Sequence, residues 1–167
     1  MDVPAMFDLS SKVALVSGAS RGIGAETAEI LAEFGAHVIL TSRKAENLEA
    51  VQAHIKNAGN QASSMVCHNG DLAQIELLFE KIHEKHGRLD ILVNNAATNP
   101  FYGSVLEADE KAWDKTLAVN LKGPFFMSQH AAGLMRKNGG GSIVNVSSIN
   151  GRIPMLNQSI YSITKAA

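Results

Sequence analysis

Strand-length apolar runs alternate with helical patterns along this chain, and three of the helical patterns end on a glycine. Gly35 precedes Val38-Ile39-Leu40, Gly59 precedes the run ending at Cys67, and Gly87 precedes Leu89-Asp90-Ile91-Leu92-Val93. Glycine just past a helix end relieves the left-handed conformation that terminates it, so these positions mark three αβ loops. The first run is Val13-Ala14-Leu15-Val16. The last, Ser142-Ile143-Val144-Asn145-Val146, follows a helical stretch from about Asp109 to Lys137 and the turn Gly139-Gly140-Gly141. Spacings of three, four and seven place Ile23, Ile30, Leu31 and Phe34 on one helix face. They do the same for Leu48, Val51 and Ile55, and for Leu72, Ile75, Leu78, Phe79 and Ile82. Strands that are apolar throughout and alternate with helices require a parallel sheet covered on both faces, an α/β architecture. No repeat or linker divides the 167 residues, so they form one domain.

In such a sheet a ligand lies outside the C-terminal strand ends, where strand order reverses. Directly after the first run stands Ser17-Gly18-Ala-Ser20-Arg21-Gly22-Ile23-Gly24, followed by a helical pattern. A nucleotide pyrophosphate needs that context: a strand end, a turn without β-carbons, and a helix N-terminus offering free N–H groups and a positive dipole end. Thr41-Ser42-Arg43 ends the second strand. An acid there would bind both ribose hydroxyls of NAD, whereas here a guanidinium can pair with a 2′-phosphate, with Arg21 as a second cation. Both arginines point to NADP(H); the alternative is that they are solvated surface groups.

Near the chain's end, Tyr161-Ser-Ile-Thr-Lys165 sets a phenol and an ammonium one helical turn apart, thirteen residues after Ser148. Bringing a phenol from about 10 towards neutrality requires roughly 4 kcal/mol of preferential phenolate stabilisation, which a nearby cation in a dry site can supply. Ser147 and Ser148 point to opposite sides of their strand, so only one of them can face the ligand. Asn120, on an otherwise apolar helical pattern, needs partners as a core amide if it has no other role. Asp71-Leu72-Ala-Gln74 has the form of a capping box, which by itself explains Asp71. Tyr102 has no lysine at i+4 and either lines a pocket or does nothing.

These motifs, in this order, resemble the short-chain dehydrogenase/reductase family. The counterparts are Gly18, Gly22 and Gly24, then Asn94-Asn95-Ala96-Ala97, then Asn120, Ser148, Tyr161 and Lys165, with Ala97 where the family usually has glycine. The resemblance covers essentially the whole chain. It implies a Rossmann-type doubly wound parallel sheet in three αβα layers, without the family's last strands and helices. It also implies cofactor contacts at Ser20, Ile23, Asp71, Leu72, Asn94 and Ala96, beside the glycines, Arg21, Ser42, Arg43, Tyr161 and Lys165. The implied activity is reversible NADP(H)-dependent hydride transfer to a ketone or aldehyde, with 3-oxoacyl thioesters as the other substrate class. In it Tyr161 acts as acid/base, Ser148 binds the carbonyl oxygen, Lys165 holds the ribose and Asn120 relays protons. Its assembly would be a homotetramer. The rival reading is a non-catalytic dinucleotide-binding module. A chain ending so soon after Lys165 is expected to be a fragment that turns over only when longer.

Net charge is −1, from 15 basic and 16 acidic residues interspersed, which excludes a nucleic-acid or anionic-membrane footprint. The apolar runs are too short to span a bilayer, and Met1-Asp2-Val3-Pro4 does not open a leader, so a cytoplasmic protein is expected. A C-terminal organelle address in a longer chain would lie beyond Ala167. The one cysteine, Cys67, is expected to be a small buried side chain, and the six histidines show no metal-ligand spacing.

Overall fold

The computed structural model describes residues 5–167, so Met1 to Pro4 lie outside the described residues. Five strands alternate with helices: β1 (Val13–Ser17), α1 (Gly22–Glu33), β2 (His37–Ser42), α2 (Ala45–Asn57), β3 (Ala62–Val66), α3 (Leu72–His86) and β4 (Ile91–Asn94). They are followed by α4 (Glu110–Leu117), α5 (Gly123–Lys137), β5 (Ser142–Asn145) and α6 (Ser159–Ala166). All pairings are parallel, in the order β3-β2-β1-β4-β5. The order reverses between β1 and β4, which puts the ligand crevice beside the end of β1.

Alternation along the strands divides the core into two apolar layers. Leu15, Ile39 and Leu92 face Ile75, Leu78, Ile82, Met127 and Leu134 of α3 and α5. On the other face Val16, Val38, Leu40 and Val93 meet Ala28 and Ala32 of α1 with Leu48 and Ile55 of α2. Each fully buried leucine or isoleucine contributes about 1.5–3 kcal/mol by leaving water.

Two sequence expectations need correction. Helix α1 does not bury Ile23 and Ile30, which are 66% and 52% exposed; its inner face is Gly24, Ala25, Ala28 and Ala32. Small residues let the helix backbone approach the sheet closely at the glycine turn, so the larger stripe is displaced outwards. The sheet is also not covered throughout, since all four residues of β5 are exposed at its edge. The helical stretch expected from about Asp109 to Lys137 is present, with α4 and α5 joined by a π-helical segment, Ala118–Lys122, just before Gly123-Pro124.

At the opposite end of the strands from the crevice, Asp90 joins β1 to β4. Its Oδ2 accepts from Val13 N at 2.9 Å and from Arg88 Nε at 2.9 Å, and its Oδ1 accepts from Arg88 Nη2 at 2.6 Å. Burial alone would raise this carboxyl. The Arg88 hydrogen bonds, the Val13 N–H and nearby Lys12 outweigh burial and hold it below the ordinary carboxylate range.

Candidate active site

The glycine turn is shaped by its neighbours. Gly18 has φ +67°, and a β-carbon there would stand 2.9 Å from Ala96 Cα. One at Gly24 would overlap Gly18 O, so only glycine lets α1 begin this close to β1. Asn95 fastens the turn, its Nδ2 donating to Ser17 O at 3.0 Å and to Gly18 O at 3.2 Å. The Asn95 and Ala96 N–H groups donate to Ser17 Oγ, both at 3.1 Å. Asn95 therefore builds the site from behind it.

Helix α1 starts with no side-chain cap and no acidic residue in its first turn. By contrast, Asp71 and Asp109 cap α3 and α4. The first N–H groups of α1 are thus left for an anion at the positive end of the dipole. The adjoining cleft is lined by Gly18, Ser20, Arg21, Ser42, Arg43, Ala96 and Val119, with no carboxylate among its lining residues. Gly22, Ile23 and Gly24 stand at the start of α1 beside it rather than in its lining. This donor set fits the phosphates of a nicotinamide dinucleotide.

Asp71 and Leu72 are not among the residues that line that cleft. Asp71 caps α3: Oδ1 accepts from Ala73 N at 3.1 Å and Gln74 N at 3.2 Å, while Oδ2 accepts from Gln74 Nε2 at 2.7 Å. The lining residues after β3 are instead Cys67, His68 and Asn69, which the sequence reading passed over except for the burial of Cys67. Gln74, held by Asp71, accepts from His68 N at 2.9 Å, and His68 Nδ1 accepts from Gly70 N at 3.0 Å. That bond leaves the ring proton on Nε2. Asn69 is only 5% exposed, and its Nδ2 has no hydrogen-bond partner among the described residues. The polar pair His68-Asn69 directly after the strand was the available signal in the sequence. Burial pushes the Cys67 thiol up to about 11, with Asp71 adding to the shift, so it is no nucleophile at neutral pH.

Across β1 and β4 lie the residues of the proposed chemistry. Ser148, three residues past β5, caps a short 3-10 turn (Ile149–Gly151) with its Oγ accepting from Asn150 N at 3.2 Å, which leaves the hydroxyl proton free to donate. Ser147 Oγ donates to Lys165 O at 2.9 Å, the structural role expected of it. On α6, Lys165 Nζ lies 5.9 Å from the centre of the Tyr161 ring and donates to Val146 O at 2.7 Å. Desolvation of Lys165 pulls its pKa below the ordinary lysine value. A less solvated ammonium is a stronger partner for a neighbouring oxygen.

Two amides are used structurally. Asn94 Nδ2 donates to Asn145 Oδ1 at 2.9 Å and Ser128 Oγ at 3.0 Å, joining β4 to β5 and α5 behind the cofactor cleft. Asn120, in the π-helical segment, accepts from Thr98 N at 2.7 Å and donates to Thr98 O at 2.9 Å and Thr164 Oγ1 at 3.1 Å. Both hydrogens of its amide are taken, which matches the core-amide alternative. Any proton relay is left only the second lone pair of its Oδ1. Tyr102 is 69% exposed.

The family model for the short chain dehydrogenase matches residues 12–167. The chain is 43% identical over 159 residues to human Dehydrogenase/reductase SDR family member 4, covering 95% of this chain and 57% of that protein. It is 44% identical over 161 residues to an uncharacterized oxidoreductase of Thermotoga maritima, covering 96% and 62%. The chain therefore spans roughly three fifths of the length of these relatives. Among solved structures, a metagenomic short-chain oxidoreductase in complex with NADP superposes with a TM-score of 0.91 at 39% identity, over 94% of this chain and 71% of that one. An NAD+-bound xylitol dehydrogenase does so with 0.91 at 29% identity, over 95% and 61%. The match over nearly the whole chain, together with the glycine turn, the parallel sheet and the Ser148, Tyr161 and Lys165 set, makes this protein a member of the short-chain dehydrogenase family.

Proposed function

We propose that this chain carries the cofactor cleft and chemical groups of an NADP(H)-dependent reductase acting reversibly on a ketone or aldehyde. The observation that carries the reading is the convergence, at one sheet end, of an uncapped helix N-terminus with two arginines on one side and Ser148, Tyr161 and Lys165 on the other. A bound nicotinamide supplies and accepts the hydride. Ser148 donates a hydrogen bond from its free hydroxyl to the carbonyl oxygen, Tyr161 delivers the one proton to that oxygen, and Lys165 favours the phenolate left behind. Arg21 and Arg43 pair with the 2′-phosphate, and His68 and Asn69 read the base. The relatives include NADP-bound and NAD-bound proteins, so the choice of NADP(H) rests on the arginines and the absent carboxylate.

The proposal extends to a cytoplasmic homotetramer working on a small molecule. Support for self-association comes from an exposed groove of Trp113, Leu117, Leu121, Phe125 and Phe126 on α4, the π-helical segment and α5. No described helix is long and apolar enough to cross a membrane.

The test is oxidation of NADPH by the chain, extended to the length of its relatives, across a panel of ketones, aldehydes and 3-oxoacyl thioesters. Turnover on a member of the panel is expected. NADPH binding without turnover on any of them would instead favour a non-catalytic dinucleotide-binding module.

A further inference from the structure

Gln158 is the residue immediately before α6 and stands three positions ahead of Tyr161. Its Oε1 accepts two side-chain hydrogen bonds from distant parts of the chain, one from Asn99 Nδ2 at 3.2 Å and one from Asn150 Nδ2 at 3.1 Å. Asn150 is only 4% exposed, and its own N–H is the donor that holds Ser148 Oγ. Asn99 belongs to the loop after β4, which Gly103 N ties a second time to this segment by donating to Asn157 O at 3.0 Å. The Gln158 backbone is fixed too, since its carbonyl accepts from Ser162 N at 2.8 Å in the first turn of α6. A carbonyl oxygen has two lone pairs, and both are engaged here. One atom thus joins the Ser148 turn, the loop after β4 and the helix carrying Tyr161.

We infer that Gln158 is a positioning residue for the reaction, setting the separation of the Ser148 and Tyr161 hydroxyls and the placement of the Asn99 loop against them. The inference rests on the proposed reductase reading. Ser148 and Tyr161 lie on separate segments, and both must meet one carbonyl oxygen. In proximity catalysis a misplacement of about 1 Å can cost on the order of 100-fold in rate. Removing Oε1 leaves the buried Asn150 amide unpaired, so the turn behind Ser148 must shift or admit water. The Asn99 arm bears on substrate placement, and the Asn150 arm bears on the chemical step.

The experiment compares wild type, Gln158→Leu, Gln158→Glu, Asn99→Ala and the Gln158→Leu/Asn99→Ala pair, in the chain extended to the length of its relatives. Gln158→Leu is expected to lower kcat at least tenfold with NADPH affinity unchanged. Gln158→Glu, which keeps an acceptor oxygen at the same reach, should recover to within about threefold of wild type. Asn99→Ala, at an exposed position, should raise the substrate KM and hold kcat, and should add nothing in the Gln158→Leu background. Backbone hydrogen exchange provides an arm independent of turnover: the Asn150 N–H should exchange faster in folded Gln158→Leu than in wild type.

Wild-type kcat in folded Gln158→Leu, equal losses in the Leu and Glu variants, or an additive double variant would overturn the inference. If Gln158→Leu does not fold, an unchanged substrate KM in Asn99→Ala or an inactive Gln158→Glu overturns it. If wild type reduces no carbonyl, the reductase reading fails instead, and unaltered Asn150 exchange would independently remove the clasp.

Discussion

Lys165 Nζ donates to the carbonyl oxygen of Val146 at 2.7 Å, while Ser147 Oγ, one residue on, donates to the Lys165 carbonyl oxygen at 2.9 Å. This reciprocal pair fastens α6 to the end of β5 and keeps the ammonium beside the Tyr161 ring. Lys165→Met keeps the chain length and removes the charge. It should lower kcat on the reducible carbonyl by at least tenfold, because the phenolate left by proton transfer loses its cation. An unchanged kcat in folded Lys165→Met would show that Lys165 only ties α6 to the sheet.

Cofactor preference is expected to follow Ser42 and Arg43. Ser42→Asp with Arg43→Ala should shift the ratio of kcat/KM for NADPH over NADH at least tenfold towards NADH, since a carboxylate would then face the 2′-phosphate in a cleft that now lacks one. An unchanged ratio would mean that the phosphate is bound elsewhere.

At the far end of the same cleft, Asn69→Ala should weaken NADPH about tenfold while leaving the unfolding midpoint nearly unchanged, because its Nδ2 has no partner to lose among the described residues. Asp71→Ala should do the reverse, destabilising α3 by about 1 kcal/mol through loss of its cap with little change in NADPH affinity. Calorimetric titration and thermal unfolding of the two variants separate the roles.

The contrast between Asn69 and Asp71 shows what was legible in the sequence. Strand runs, glycine-ended helices and the order of motifs carried the parallel sheet, because each depends on local spacing. The glycine turn was legible for the same reason, and the structure has it between β1 and α1. Asp71 carried two compatible readings, a cap from its Asp-Leu-Ala-Gln pattern and a cofactor contact from the family resemblance; the geometry shows the cap, its oxygens accepting from Ala73 and Gln74. The outward face of α1 was misread because alanine packs against a sheet as well as isoleucine does when the backbones must approach. The Gln158 clasp joins residues 59 and eight positions away, and no periodicity reports such a contact.

The Asp90 carboxyl is held below its ordinary value, 3.8, so its contribution to stability is fully present above that value. It is lost as pH falls through the lower folded-state pKa. Asp90→Asn should cost about 2 kcal/mol at pH 7, and the difference from wild type should shrink on acidification below about pH 4. Denaturant melts of both proteins across that range measure it. A difference independent of pH would show that packing, not the charge, is what Asp90 supplies.

The most direct test of the whole account is Tyr161→Phe in the chain extended to the length of its relatives, assayed by NADPH oxidation with the best carbonyl substrate and by NADPH affinity. The ring stays and only the hydroxyl leaves. The account predicts that kcat/KM falls by roughly 10² to 10⁴, the loss typical of a removed general acid, while the NADPH dissociation constant stays within about twofold. Near-normal turnover in that variant would contradict it, because the proton would then come from a group other than the phenol held beside Lys165.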